Sequence, residues 1–182
     1  MNATASFVTR YSAADRPAID FAWNGKHADQ FVDANQQARW DVVAHCINEP
    51  GSAPPLLLEH LFLADAAWTR EAWGAPHHFA ALASLLLQRG GEAVVETFAS
   101  GLNASFDAFG ACHEMKLSPE IAARLVVVAS EKAALATDER SRTCLEDAAQ
   151  LFSTLQQGTA SEGWATIPAG TPVQAVRVVR PR

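Results

Sequence analysis

The chain has 182 residues, of which 49% are hydrophobic and 19% charged, so an intrinsically disordered protein is excluded and one globular domain is expected. The formal net charge is −6 and the three lysines are scattered, so the body lacks the clustered positive charge on which nucleic-acid binding depends. The three cysteines form no C-x-x-C pair, which argues against a zinc knuckle or a disulfide framework. We therefore expect a cytoplasmic protein with reduced thiols that binds no nucleic acid.

No segment has the length and apolar character of a membrane span. The apolar run from Leu61 to Trp68 is interrupted by Asp65 and is far shorter than the roughly 20 residues that cross a bilayer. Met1–Tyr11 lacks the basic start and the long apolar run of a secretory signal. These features predict a soluble protein without a membrane partner.

The sequence predicts three regions: an N-terminal arm over residues 1–25, a helical domain over 26–157, and an extended tail over 158–182 that packs on the helices. Within the arm, Ser6–Tyr11 contains aromatic and β-branched residues, which favour a short extended segment. Turn-forming residues follow this segment as far as Asn24–Gly25.

The helical domain is organised around its second helix. This helix carries an apolar stripe with further apolar residues on both flanks, so it must be covered on several sides. The stripe consists of Leu57, Leu61, Ala64, Trp68 and Ala72. Ser52 is the expected N-cap and Gly74 the expected end.

Other helices are predicted before and after this central one, giving six or seven in all. The first runs from about His27 to Ile47, where neither glycine nor proline occurs. The others are predicted at Pro76–Gly90, Glu92–Leu102 and Ala104–Met115, from Ser118 onward, and at Thr137–Gln157. Because the connections are short, we expect an all-α fold of antiparallel hairpins, either an irregular bundle or a short helical-repeat array.

The composition changes beyond the last predicted helix, where prolines and glycines recur. The chain then ends with the β-branched stretch Val173–Arg180, so an extended tail is predicted, with a short strand pairing with Ser6–Tyr11 as an option. Trp164 would anchor the tail on the helices. Arg177 and Arg180 place positive charge on an otherwise acidic chain, so contact with a partner through them is a further possibility.

One candidate metal site lies on the first predicted helix. Asp41, His45 and Glu49 stand at i, i+4 and i+8, so their side chains would line one face. Carboxylate and imidazole groups in such a row bind a metal when another helix completes the ligand set. The alternative is a solvated helix face, because Glu49 precedes Pro50, where the helix should end.

Two histidine pairs are candidates for a pocket or a general base. Glu59 and His60 lie inside the central helix, where polar groups need partners, and an imidazole has a pKa suited to acid–base work. His77 and His78 follow Pro76 at a helix start, where neutral rings, or rings that face an anion or a metal, are favoured. In both cases a histidine on the helix surface is the alternative.

The sequence carries none of the common nucleophile, phosphate-binding, dinucleotide-binding or zinc-protease motifs. We therefore expect a non-enzymatic protein–protein interaction or regulatory module, of an adaptor or bacterial inhibitor type, that binds a protein partner or itself and needs no cofactor. Trp73, near a helix end, is a candidate for its contact patch. The alternative is a metal-assisted or acid–base enzyme with a histidine and carboxylate site between helices.

Overall fold

The computed structural model describes residues 3–157, which form an all-α domain, as predicted. Eight α-helices are present among these residues: α1 (Ala3–Arg10), α2 (Gln36–Asn48), α3 (Pro55–Ala72), α4 (Phe79–Gly90), α5 (Val95–Leu102), α6 (Phe106–Cys112), α7 (Pro119–Leu135) and α8 (Glu139–Gln156). Short 3₁₀ turns cover Ala13–Ala18, Ala28–Gln30, Pro50–Ser52 and Gly91–Val94. The described residues contain no strand, and the predicted tail over 158–182 lies outside them. None of the described helices is long and apolar enough to cross a membrane.

The extended segment predicted at Ser6–Tyr11 is wrong, because these residues belong to α1 and its C-terminal flank. Phe7 and Tyr11 stand four residues apart and their rings pack edge to face at 5.5 Å. Val8 is fully buried in the core. Helical spacing thus brings one apolar face onto the bundle, and this burial outweighs the β-preference of the individual residues.

The first predicted helix begins later than expected, because side-chain hydrogen bonds hold the preceding segment in another conformation. Asp33 Oδ1 accepts from the backbone N–H of Ala22 and of Asn35, at 3.0 and 3.1 Å. Asn24 Oδ1 accepts from the N–H of Lys26 and of Val32. Such local acceptors compete with the helical ladder for backbone donors, so α2 starts only at Gln36.

The central helix, α3, is covered on several sides, as predicted, but its buried face is turned relative to the predicted stripe. Trp68 is partly exposed and Leu56 is 42% exposed. The buried positions are Leu57, Leu58, Leu61, Phe62, Ala64, Asp65, Ala66 and Thr69. The polar Asp65 and Thr69 are buried because other elements supply hydrogen-bond partners for them.

Helical hairpins form where short connections predict them. α3 packs on α4, and α7 packs on α8. The predicted starts of α7 and α8 are confirmed: Ser118 Oγ accepts from Ile121 N–H at 3.3 Å, and Asp138 Oδ1 accepts from Ser141 N–H at 2.8 Å. The short helix α5 contacts both hairpins, whereas each repeat of a linear array meets only its neighbours. The domain is therefore an irregular bundle around α5.

A stack of four phenylalanine rings runs through the centre of this bundle. Phe62 lies between Phe79 and Phe98, with centroid distances of 5.0 and 5.7 Å, and Phe98 stacks on Phe152 at 5.2 Å. The stack connects α4, α3, α5 and α8. It leaves no room beside Phe62: a Cβ added to Gly101 of α5 would lie 2.3 Å from Phe62 Cε1.

Gly101→Ala should therefore destabilise the protein by about 1–3 kcal/mol, because the stacked Phe62 ring cannot move away from the added methyl group. Gly110→Ala is the matched control, since Gly110 is also helical and a Cβ there meets nothing within 4 Å. The control should stabilise by up to about 1 kcal/mol, the usual helix preference for alanine. Urea unfolding measures both changes, and equal effects would contradict the close packing of α5 on Phe62.

Candidate functional site

A fully buried arginine lies between two fully buried carboxylates where the N-terminal segment meets the bundle. Arg39 on α2 donates from Nη2 to Asp33 Oδ2 at 2.6 Å and from Nε to Asp65 Oδ1 at 2.7 Å. None of the three side chains is accessible to solvent. A charge at such a site costs several kcal/mol unless it is paired, so these three groups must assemble together.

The same network reaches the surface through His78. The second oxygen of Asp65, Oδ2, lies 2.7 Å from His78 Nε2, and the His78 side chain is 20% exposed. Trp40 Nε1 donates to Asp65 Oδ1 at 3.2 Å. The structure therefore places His78, one of the predicted pocket residues, against a buried carboxylate, which fixes the orientation of its ring.

Sequence reasoning missed Asp33, Arg39 and Asp65. The available signal was Asp65, a carboxylate in the apolar run of the central helix, because a buried polar group requires a partner. Its partner Arg39 is 26 residues away in the sequence. No spacing rule for a single helix connects the two positions.

Seven aromatic side chains make consecutive ring contacts beside this network, and we refer to them as the aromatic row. In order they are His27, Trp23, Phe21, Phe31, Trp68, Trp40 and His78, with centroid distances between 4.8 and 6.4 Å. His27 is exposed and the other six are partly exposed. The row thus continues from the N-terminal segment across α2 and α3 to the start of α4.

The indole N–H groups of the row are engaged within the protein. Trp23 Nε1 donates to the Lys26 carbonyl at 2.8 Å, and Trp68 Nε1 donates to Gln36 Oε1 at 3.2 Å. The third indole, Trp40, donates to the network carboxylate. What the row offers to solvent is therefore ring surface rather than hydrogen-bond donors.

The predicted pair Glu59 and His60 contacts two other elements. His60 Nδ1 lies 2.6 Å from the hydroxyl of Tyr11, just beyond α1, and Glu59 Oε2 accepts from Thr97 Oγ1 at 2.8 Å. Burial, with a further contribution from Arg16, lowers the pKa of His60. Burial raises the pKa of Tyr11 to about 12. A protonated Tyr11 hydroxyl donating to a neutral His60 ring therefore fastens α1 to α3.

Of the three predicted metal ligands, Asp41 and His45 lie on α2, and Glu49 directly follows its last residue. Asp41 Oδ1 accepts from Gln37 Nε2 at 2.8 Å, whereas His45 Nδ1 lies 3.8 Å from Glu49 Oε1. The Glu49 side chain is largely exposed. Across residues 3–157, no group of three or more histidine, cysteine or acidic side chains is placed to hold a metal ion.

Trp73 and Phe106 flank one junction between helices, and we refer to this surface as the Trp73–Phe106 edge. Thr69 Oγ1 on α3 lies 2.7 Å from Ser105 Oγ, which caps α6 by accepting from Ala108 N–H at 3.0 Å. Trp73 lies about one helical turn beyond Thr69, and Phe106 directly follows Ser105. Trp73 is 84% exposed and Phe106 is 80% exposed.

The other predicted site residues are not part of this edge or of the network. His77 is exposed and lies between the edge residue Trp73 and α4. The predicted interaction residues Trp164, Arg177 and Arg180 lie outside the described residues. Three of the four predicted histidines have separate partners: Glu49 for His45, Tyr11 for His60 and Asp65 for His78.

Arg39→Met should cost about 3–5 kcal/mol of unfolding free energy, because two buried carboxylates lose their shared cation. Arg16→Met is the matched control, since the Arg16–Asp20 pair at 3.0 Å is exposed, and such pairs contribute about 0–1 kcal/mol. Urea unfolding followed by circular dichroism measures both. A loss for Arg39→Met no larger than for the control would contradict the pairing.

His60→Gln should reduce the loss of thermal stability that the protein undergoes on acidification. Because the pKa of His60 is lowered in the folded chain, the folded state binds fewer protons than the unfolded state as the pH falls through the ordinary histidine value of about 6.5. Stability is therefore lost on acidification. We expect the thermal midpoint of the wild type to fall between about pH 7.5 and about pH 5.5, and to fall less in the variant. Equal falls in both proteins would show that His60 is not responsible.

Comparisons with known proteins found no relative of this chain. No protein-family model matches it, and neither the curated proteins nor the solved structures contain a significant match. Its function must therefore be inferred from its own residues. Two surfaces carry unusual chemistry: the aromatic row above the buried network, and the Trp73–Phe106 edge.

Proposed function

We propose that this protein is a non-enzymatic interaction module that binds a protein partner through the Trp73–Phe106 edge. The observation that carries this proposal is the exposure of Trp73, at 84% of its surface. Tryptophan is among the residues that contribute most to binding energy at protein interfaces. Phe106, 80% exposed at the same junction, extends the aromatic area that a partner would cover.

The backbone at Trp73 supports a binding role. Trp73 adopts the left-handed conformation, with φ of 55°, which costs a residue with a side chain about 1–2 kcal/mol. Glycine is favoured at such a helix end, and the glycine of this loop, Gly74, stands one position later. An exposed tryptophan in a strained conformation contributes little to folding, so a contact outside the described chain explains its position best.

The edge is also held rigidly, which favours binding. The Thr69 hydroxyl is buried and contacts both the Ala66 carbonyl and Ser105 Oγ at 2.7 Å. The end of α3 and the start of α6 are thereby joined, which restricts the backbone that carries the two exposed rings. A preorganised surface loses less conformational entropy when a partner binds.

The separate partners of the histidines favour this proposal over a metal-assisted or acid–base enzyme. His45, His60 and His78 have three different partners, Glu49, Tyr11 and Asp65. No group of three or more potential ligands is placed to hold a metal ion among the described residues. An adaptor or inhibitor of this kind with a net charge of −6 would associate fastest with a basic partner at low salt.

Photo-crosslinking in cells that make the protein tests this function. A benzophenone amino acid placed at position 73 or 106 should give one discrete adduct, and mass spectrometry should identify the same partner, or a second copy of the chain, from both positions. Position 135 is the matched control, because Leu135 is 81% exposed at the end of α7. Adding Trp73→Gly to the position-106 probe should remove the adduct, since the partner loses its main contact while the strained backbone is relieved.

Two results would contradict the proposal. One is the absence of a discrete adduct at both positions, and the other is an identical set of adducts at position 135. Circular dichroism of each variant confirms that a lost adduct does not reflect an unfolded chain. Trp73→Gly should retain the wild-type spectrum, because glycine tolerates the left-handed conformation.

A further inference from the structure

The aromatic row is a second surface with binding capacity, independent of the Trp73–Phe106 edge. Its rings are partly exposed, and its indole N–H groups are bonded within the protein. A sugar or a polar peptide backbone would find few free donors on the row. The accessible chemistry is that of aromatic rings, whose faces carry a negative potential and attract cations.

The charges around the row have the sign that a cationic ligand requires. Beneath it, the carboxylates of Asp33 and Asp65 share the guanidinium of Arg39, so these three side chains together carry one excess negative charge. Trp40 donates to one of these carboxylates, and a hydrogen bond to an anion polarises its donor toward greater electron density. The indole face above is therefore a better cation acceptor.

Exposed charges of both signs stand close in sequence to row residues, the basic ones including Arg70, two residues after Trp68. Asp29 precedes Phe31 by two residues, and Asp41 follows Trp40 directly; both are exposed. Arg16 is paired with Asp20 at 3.0 Å, so its positive charge is partly neutralised. Lys26 is the basic side chain near the Trp23 end. The buried network therefore supplies the excess negative charge, which favours a cation over a polyanion.

From the ring faces and the excess negative charge we propose that the aromatic row binds the guanidinium groups of an arginine-bearing segment of a partner protein. Arginine fits better than lysine, because its planar, weakly hydrated head stacks on aromatic rings. The consecutive rings of the row offer successive positions for neighbouring arginines along one extended segment. This site goes beyond the proposed function and does not depend on the Trp73–Phe106 edge.

The test uses the full chain and two synthetic peptides of alternating glycine and arginine, or of glycine and citrulline, the neutral isostere of arginine. Binding is followed by the indole N–H signals in ¹H–¹⁵N NMR spectra. The arginine peptide should shift the signals of Trp23, Trp40 and Trp68, leave that of Trp73 unchanged, and bind at least about fivefold more tightly than the citrulline peptide. Binding should weaken as salt is added.

A matched pair of variants locates the site. Phe31→Leu removes the ring between Phe21 and Trp68 but retains an apolar side chain, and should weaken the arginine peptide about fivefold. Phe109→Leu removes a partly exposed ring outside the row, where it packs with His113, and should leave binding unchanged.

Several outcomes would overturn this inference. They are equal affinity for the arginine and citrulline peptides, shifts confined to Trp73, and equal weakening by both variants. The peptide comparison uses the wild-type chain, so a folding defect in Phe31→Leu cannot obscure the result. Shifts at Trp73 alone would place the arginine contact at the Trp73–Phe106 edge. That result would contradict the site on the aromatic row but would not contradict the proposed function.

Discussion

The buried ion network of Arg39 constrains four elements of the N-terminal half of the domain. It joins the non-helical segment at Asp33, α2 at Arg39, α3 at Asp65 and the start of α4 at His78. Buried ion pairs often contribute little net stability relative to apolar residues of the same size, yet removing one partner is costly. The network therefore acts mainly as a positional constraint on these four elements. Trp40 and His78, which both contact Asp65, are also members of the aromatic row, so the constraint extends to that row.

The central helix connects this network with the rest of the molecule. Its Phe62 enters the phenylalanine stack of the core, its Asp65 binds Arg39, and its Thr69 fixes α6. Trp68 belongs to the aromatic row, whereas Trp73 ends the helix at the exposed edge. Both surfaces thus depend on one rigid element whose apolar face is set by the core.

The sequence predicted the features that depend on local chemistry. The cap and proline at Ser118–Glu120 identify a helix start, and the leucine-rich stripe identifies a central helix, because both signals lie within a few residues. It did not predict the Asp33–Arg39–Asp65 network, whose members meet only through tertiary packing. α1 was missed for the same reason: Val8 is buried by other helices, and this burial overrides the local preference of the segment.

The polar side chains of the interior are bonded to one another or to the backbone, as buried polar groups generally are. Among the described residues, every buried side-chain nitrogen or oxygen has a hydrogen-bond partner within the protein. These bonds hold the helices and the N-terminal segment in place, whereas the partly exposed rings of the aromatic row and the two exposed rings of the edge lie at the surface. Aromatic rings of this kind are enriched at protein interfaces, which is why the proposed binding role is placed on them.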